Sequence, residues 1–455
     1  DTDHFVQRFA LATFYFATGG NSSWVYDLNF LTDKSECDWR EIIRSYDKGV
    51  LCDDDKQTVK VLNIPFNVLK GFIPNELGLL VGLKELDLGS NYLNGTLPPA
   101  LAKLSKLEVL DLGVNSLSGT LPLFPSSTNL PNLQEVNLWY NAFTGILPQG
   151  LFLSPNMTIL SLDWNQFSGT LSTKIGKLSS LQEFRLYGNK FSGELPSNIG
   201  ALTELQLLDL SNNKFSGKLP FDICALTELQ DLDLSANKFR GQLPSNIGDL
   251  TKLHGLRLSD NEFSGMLPSS IGALTNLVAL LLERNRFNGP LPSSIGALTN
   301  LRYLSLHQNR FTGTLPDSLG NLTALQYLIL SRNKFPGTIP DIFENMIDLE
   351  YLFLDVNKFT GTIPPSIASA KNLTNLSLAN TSVAGDMAHF CNNRSKDNLE
   401  WIADCYGDSP EVVCDCCYVC CSDYERSSNL TVSDLLLTFY FGEGNLLGCF
   451  NMSDT

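Results

Sequence analysis

The sequence predicts a solenoid, one coil of stacked turns with a parallel β-strand in each. Two observations carry that reading. From about Val59 to Gly385 the 455-residue chain repeats itself every 24 residues, and a fixed period of this length marks stacked supersecondary units. Within each unit apolar residues alternate with others over a short stretch, as in Leu208-Asp209-Leu210, the period of a strand buried on one face. One unit cannot bury its leucines alone, whereas stacking joins them into a continuous core. With strands about 4.8 Å apart, fourteen units make a ladder on the order of 60 Å long.

Each unit has fixed positions. Asn fills one slot in thirteen copies, from Asn67 and Asn91 to Asn357, and Thr381 fills it in the fourteenth. A buried turn leaves backbone N–H and C=O groups in need of partners, so this Asn is expected to point inward and bond the turn. Phe stands two residues later from Phe143 to Phe335 and again at Phe359, which predicts a stacked aromatic spine. Gly stands four residues after the slot, from Gly71 to Gly385, where the backbone needs a shape other residues resist. The one break in period is a two-residue insertion in Phe124-Pro125-Ser126-Ser127.

The string LxxLxLxxN, followed by NxFxGxLPxxIGxLTxL, resembles plant-type leucine-rich repeats over most of the chain. The resemblance implies a right-handed α/β leucine-rich-repeat solenoid of about 14 repeats of 24 residues, with a parallel β-sheet on its concave face and disulfide-stapled caps. The expected divisions are a cap over 1–58, the solenoid over 59–388, a cysteine-rich cap over 389–421 and a tail over 422–455.

Residues 3 to 18 read as a helix lying over the first coil as a lid. Asp3 can cap it, Phe5, Val6, Phe9, Ala10, Thr13 and Phe16 recur near helical spacing, and Gly19-Gly20 stop it. Cys37-Asp38-Trp39 and Gly49-Val50-Leu51-Cys52 look like the CxWxGVxC segment of plant-type N-terminal caps, which implies a Cys37–Cys52 bridge. Asp53-Asp54-Asp55 is a cation site or, more plainly, a solvated turn.

Ten of the eleven cysteines lie in the flanks. Cys391, Cys405, Cys414, Cys416, Cys417, Cys420, Cys421 and Cys449 follow the repeats. The CxCCxxCC cluster could ligate zinc; beside a bridged first cap, disulfides of an oxidising compartment are the expected chemistry. This cluster and the Arg8-Phe9-Ala10-Leu11-Ala12-Thr13-Phe14-Tyr15 opening resemble repeat proteins of diatoms and related algae. Leu435 to Phe441 is an apolar strand candidate that must fold onto its own cap or pair with another chain. Cys224 is the odd cysteine, a buried thiol or an intermolecular bridge.

Net charge is −16 and the isoelectric point about 4.7, which opposes nucleic acid and acidic membrane surfaces as partners. No run of 18 apolar residues is present, so no spanning helix is expected. No basic segment followed by an apolar run opens the sequence, so a secreted chain is expected to have lost its signal peptide. His4, His254, His307 and His389 fall in no metal or nucleophile motif, and none of the common catalytic strings occurs. Asp231 and Asp233 are close enough for general acid–base work but lie on an open ladder with no pocket to raise a pKa. No enzymatic activity, cofactor or metal is expected.

Slots six, four, two and one before the Asn should project from the concave face. They fill as three zones: Trp139, Tyr140, Trp164 and Tyr187 with Arg185; then Asp209, Asp231 and Asp233; then Arg257, Arg284 and His307 with Tyr303, Tyr327, Tyr351 and Phe353. Exposed Trp, Tyr and Arg are the residues of binding hot spots, and aromatics also suit sugar faces. The plainer reading is stacking of like residues for cross-strand stability. The slot after the Asn is mostly basic, from Lys190 to Lys358 with Glu262 as exception, a grip for an acidic polysaccharide or simply a solvated edge.

Sequons lie at Asn21, Asn94, Asn156, Asn321, Asn372, Asn375, Asn380, Asn393, Asn429 and Asn451. None uses a ladder Asn, and none lies between Asn156 and Asn321. Glycans block contact, so the interaction surface is expected in that bare stretch. The sequence therefore predicts a non-enzymatic extracellular protein that binds a protein, peptide or cell-wall glycan. The alternatives are a subunit polymerising head to tail through caps and tail into a glycosylated fibre, and an inhibitor of a secreted hydrolase.

Overall fold

The computed structural model describes residues 2–43, 46–122 and 130–386, and three backbone strands beyond them, Glu400–Ala403, Val412–Val413 and Val419–Cys420. The chain divides into two compact units, Asp1–Phe239 and Arg240–Thr455, each built from the same turn.

One turn of the first unit shows how the repeat folds. Leu207–Asp209 is a strand, Lys214–Gly217 a second strand and Phe221–Ala225 a 3-10 helix. The first strands pair in parallel without slippage, Leu207 with Asp231 and Glu183 with Leu207. In the second unit Tyr303, Tyr327, Tyr351 and Asn375 follow one another in the same way. The second strands form their own parallel ladder, as where Ser192 pairs with Lys214, which the repeat pattern alone does not predict. The far side carries 3-10 turns in place of α-helix. Leu-Pro leaves about five residues for it, and such short runs are where 3-10 geometry is used.

The slot Asn is the fastener. Asn213 Nδ2 donates to the carbonyls of Leu186, Leu210 and Ser211 at 2.8, 3.2 and 3.1 Å. Its Oδ1 accepts from the Phe191 N–H at 2.9 Å. Behind it the phenylalanines are buried and stacked, 6.0–6.3 Å apart from Phe143 to Phe239 and 6.0–6.1 Å from Phe263 to Phe359. Gly217 takes φ +82°, and a Cβ there would meet the Glu194 side chain at 2.6 Å.

The N-terminal helix spans Thr2–Ala17, with Asp3 inside its first turn. It closes the first coil by its end and by Gln7: Lys70 N–H donates to Thr18 O at 2.8 Å, and Gln7 Oε1 accepts from Val59 N–H at 2.7 Å. Of the residues expected to recur on one face, Ala10 is buried but the large ones, Phe5, Val6, Phe9 and Phe16, are exposed. Ala10, Leu11, Phe14 and Tyr15 are buried, while Phe5 and Phe16 are 73% and 70% exposed. Apolar residues stand all round this helix, so periodicity alone could not choose the inward side. Phe14 and Tyr15 are selected by contact with Trp24 and, for Tyr15, with Phe30.

Cys37 and Cys52 are bridged, and Tyr46–Cys52 extends the sheet antiparallel to Val59–Asn63. Asp53 accepts from the Gln57 and Thr58 N–H groups at 2.8 and 3.1 Å, so it fastens a turn. Cys224 is buried. Beyond the fourteenth repeat Glu400–Ala403 pairs with Asn375–Ser377, and Val419–Cys420 with Ile402–Ala403, so the ladder runs on through the cysteine-rich region. The side chains of Cys391, Cys405, Cys414, Cys416, Cys417, Cys420, Cys421 and Cys449, His389, the sequons at Asn393, Asn429 and Asn451, and the strand expected at 435–441 lie outside the described residues.

Candidate ligand-binding face

The open face of the first unit's sheet carries four large aromatics, each held by local backbone. Tyr140 and Trp164 precede slot asparagines and sit at φ +54° and +51°. That left-handed position turns the side chain outward, and it recurs along the chain, as at Asn212 and Ala236. Glycine explains where the rings lie. A Cβ on Gly113 would fall 2.6 Å from the Trp139 ring, and one on Gly188 would fall 3.4 Å from Trp164. Each indole thus rests on a neighbouring turn that lacks a side chain. Trp164 meets Tyr187 edge-on at 4.9 Å, and Trp139 meets Tyr140 at 6.1 Å. Trp139, Tyr140 and Trp164 stay 40%, 55% and 46% exposed. A notch of about 370 Å³ opens beside Tyr140 and Trp164, lined also by Asn115, Ser116, Ala142 and Gly188.

Beside the aromatics the sheet face is acidic. The row six before the Asn reads Val61, Glu85, Val109, Glu135, Ile159, Glu183, Leu207 and Asp231, each paired with the next. Asp87, Asp111, Asp163, Asp209 and Asp233 stand in the two adjoining rows, and all of these side chains are half-buried. The basic residue among them is Arg185, 2.9 Å from Glu183. Burial pushes Asp87 up to about 6, opposed by the Gly89 N–H and aided by Asp111 and Glu85. Burial and then Asp209 push Asp163 up to about 6, against bonds from the Tyr187 N–H and the Ser161 hydroxyl. Glu85, Asp111 and Glu135 are also raised, first by burial. The acids expected from the sequence, Asp209, Asp231 and Asp233, are only the end of this field. Filling the same slots in the first six copies would have found Glu85, Asp87, Asp111, Glu135, Asp163 and Glu183.

The second unit presents its aromatics differently. Tyr303, Tyr327 and Tyr351 stack face to face at 4.9 and 4.4 Å. Their faces are spent on one another, which is the cross-strand packing expected of like neighbours. The expected exposure fails at His307 and Phe353, each 2% exposed. Phe353 lies edge-on to Tyr351 at 6.1 Å. Arg257 is half-buried. Asp355 is also buried, accepting from Ser331 Oγ at 2.6 Å. The residues after the slot Asn, such as Lys190 and Arg286, are exposed; Arg286 bridges Glu262 at 3.1 Å and Lys190 bonds Gln166 at 2.9 Å.

Among the described residues no group of three His, Cys, Asp or Glu is placed to hold a metal, and no helix is long and apolar enough to cross a membrane.

The Leucine Rich Repeat profile matches residues 82–104, 180–202, 204–226, 228–250, 252–274 and 348–370, and a second Leucine rich repeat profile matches 291–335. Among solved structures, the Arabidopsis receptor kinase HAESA LRR ectodomain with an N-terminally extended IDA peptide hormone ligand is 30% identical, with TM-score 0.66, 89% of this chain covered and 70% of that one. The chain belongs to the leucine-rich-repeat family.

The PEPR1–AtPEP1 structure is also similar, 30% identical with TM-score 0.77 over 87% of this chain. So is the Arabidopsis receptor kinase HAESA with the peptide hormone IDA and the co-receptor SERK1, 31% identical with TM-score 0.64 over 72% of this chain. This leucine-rich-repeat chain spans 54% of the former's length and 58% of the latter's. No curated protein sequence matches it.

Proposed function

We propose that this chain is a non-enzymatic, extracellular recognition module that holds a peptide along the open sheet face of residues 59–239. The observation that carries it is the group Trp139, Tyr140, Trp164 and Tyr187 on the open sheet face, the first three exposed and Tyr187 half-buried, with Tyr140 and Trp164 lining a notch. Large aromatics that stay in solvent without a covering element are what interfaces use as anchors. The similar structures named above include peptide-hormone complexes of receptor ectodomains, which supports a peptide as the partner. The Cys37–Cys52 bridge and the exposed sequons at Asn94, Asn156, Asn321 and Asn372 fit a secreted or cell-surface location.

The test is selection of displayed random peptides on the full chain, then rebinding to Trp139→Ala/Trp164→Ala. Hot-spot aromatics contribute about 2 kcal/mol or more each, so affinity should fall by about a hundredfold or more while the unfolding midpoint holds. Unchanged affinity in the folded variant would remove this reading. The glycan alternative loses support where the tyrosine faces are stacked on each other. The fibre alternative rests on segments outside the described residues.

A further inference from the structure

The notch beside Tyr140 and Trp164 exists because positions that are large on other turns are small around it. The slot after the Asn holds Ser116 and Ala142 here. The other copies with the slot Asn carry Val68, Tyr92, Gln166 or a long charged side chain from Lys190 to Lys358. The slot before the Asn holds Gly188 on the turn that follows Trp164. Tyr140, Trp164, Asn212 and Ala236 keep side chains at that slot with φ between +49° and +54°, so the backbone there does not require glycine. A Cβ on Gly188 would lie 3.4 Å from the Trp164 ring, and its absence leaves that side of the indole open.

The lining selects by chemistry. Among the described residues none that lines the notch is charged. The amides of Asn115, Asn141 and Asn165 are committed to the ladder. Asn141 Nδ2 donates to the carbonyls of Leu112, Leu138 and Trp139 at 2.9, 3.2 and 3.3 Å, and its Oδ1 accepts from the Leu117 N–H at 2.9 Å. Asn115 and Asn165 bond in the same way. A ligand therefore meets two aromatic rings, the Ala142 methyl, the Ser116 hydroxyl and the polar tips of Tyr140 and Trp164. A sugar would give up hydration at most of its hydroxyls for few bonds in return, and a charged group would be desolvated with no opposite charge in the lining. An aromatic ring needs neither, and contact with neighbouring rings adds to the burial of its area. Small-molecule pockets span about 300–1,000 Å³, so a notch of about 370 Å³ has room for one residue-sized group.

We infer that this notch is the anchor subsite of the peptide face and seats one uncharged aromatic side chain against Tyr140 and Trp164. The inference rests on the peptide-binding reading above for the source of that side chain and adds the chemical class of the anchor. Ser116, Ala142 and Gly188 set the specificity, since their lack of bulk is what admits the ring.

The probe is N-acetyl-tyrosinamide, titrated against the full chain by ligand-observed NMR beside N-acetyl-lysinamide and methyl glucoside. The aromatic amide should bind about tenfold tighter than either, the scale of a favourable aromatic contact. Ser116→Gln/Ala142→Gln fills the notch with the residue that the same slot carries at Gln166, so the unfolding midpoint should hold while aromatic binding falls by about tenfold. Gly188→Asn, which copies Asn212 at its own slot, should weaken binding in the same direction. Equal or tighter binding of the lysine amide or the glucoside, or unchanged aromatic affinity in the filled variant, would overturn the inference. Displayed peptides that depend on Trp139 and Trp164 yet bind the filled variant equally well would leave the peptide-binding reading standing and remove this one. An aromatic amide seated in the notch with no displayed peptide bound would do the reverse.

Discussion

At the scale of single residues, the candidate face carries acids whose burial opposes their charge. Asp163 shows the cost. Burial raises its carboxyl from 3.8 to about 6, so the native protein holds this proton more tightly than the unfolded chain does. Its contribution to stability is therefore most favourable below pH 4 and is lost as pH rises to about 6. Asp163→Asn should match the parent at pH 4 and exceed it at pH 7 by about 2 kcal/mol, measured by urea unfolding at both values. A variant less stable than the parent at pH 7 would show that the bonds from Tyr187 N–H and Ser161 outweigh the burial. The slot asparagines are the opposite case. Each makes bonds the turn cannot otherwise satisfy. Their role was legible in the sequence because a polar side chain recurring inside an apolar unit must bond the backbone around it to be buried at all.

At the scale of elements, the lid helix separates apolar pattern from apolar contact. Phe14 is fully buried and Phe5 is mostly exposed, although both belong to one apolar helix. Phe14→Ala should destabilise the helix by about 3–4 kcal/mol, as large-to-small core changes do. Phe5→Gln/Phe16→Gln should cost under about 0.5 kcal/mol each. Hydrogen exchange of the helix amides reads both, and equal losses would restore the face first expected. The strands needed no such arbitration. Their register follows from a constant repeat length, because a one-residue slip would turn every leucine outward. The 3-10 turns were less legible, since Leu-Pro marks where the far side begins and not which helix follows.

At the scale of the whole molecule, stability is expected to be local, because each turn of a repeat array touches only its neighbours. The Cys37–Cys52 bridge closes a 15-residue separation, which in the chain-entropy account contributes about 3 kcal/mol. Cys37→Ser/Cys52→Ser should therefore lower the first step of thermal unfolding and expose the lid helix, while the last step keeps its midpoint. A single transition shifted as a whole would show that the array melts cooperatively.

The repeat period by itself determined the coil, the ladder asparagines and the phenylalanine spine, because each is a consequence of stacking units of equal length. It also determined which slots face outward. Only the tertiary structure decided how much of each outward residue remains available. Gly113 and Gly188 leave room under Trp139 and Trp164, whereas the neighbours of Phe353 and His307 bury them. Only it showed that the tyrosine faces are taken by one another. Exposure depends on the size of the residues one turn before and after, a comparison made 24 residues apart in sequence and about 5 Å apart in space.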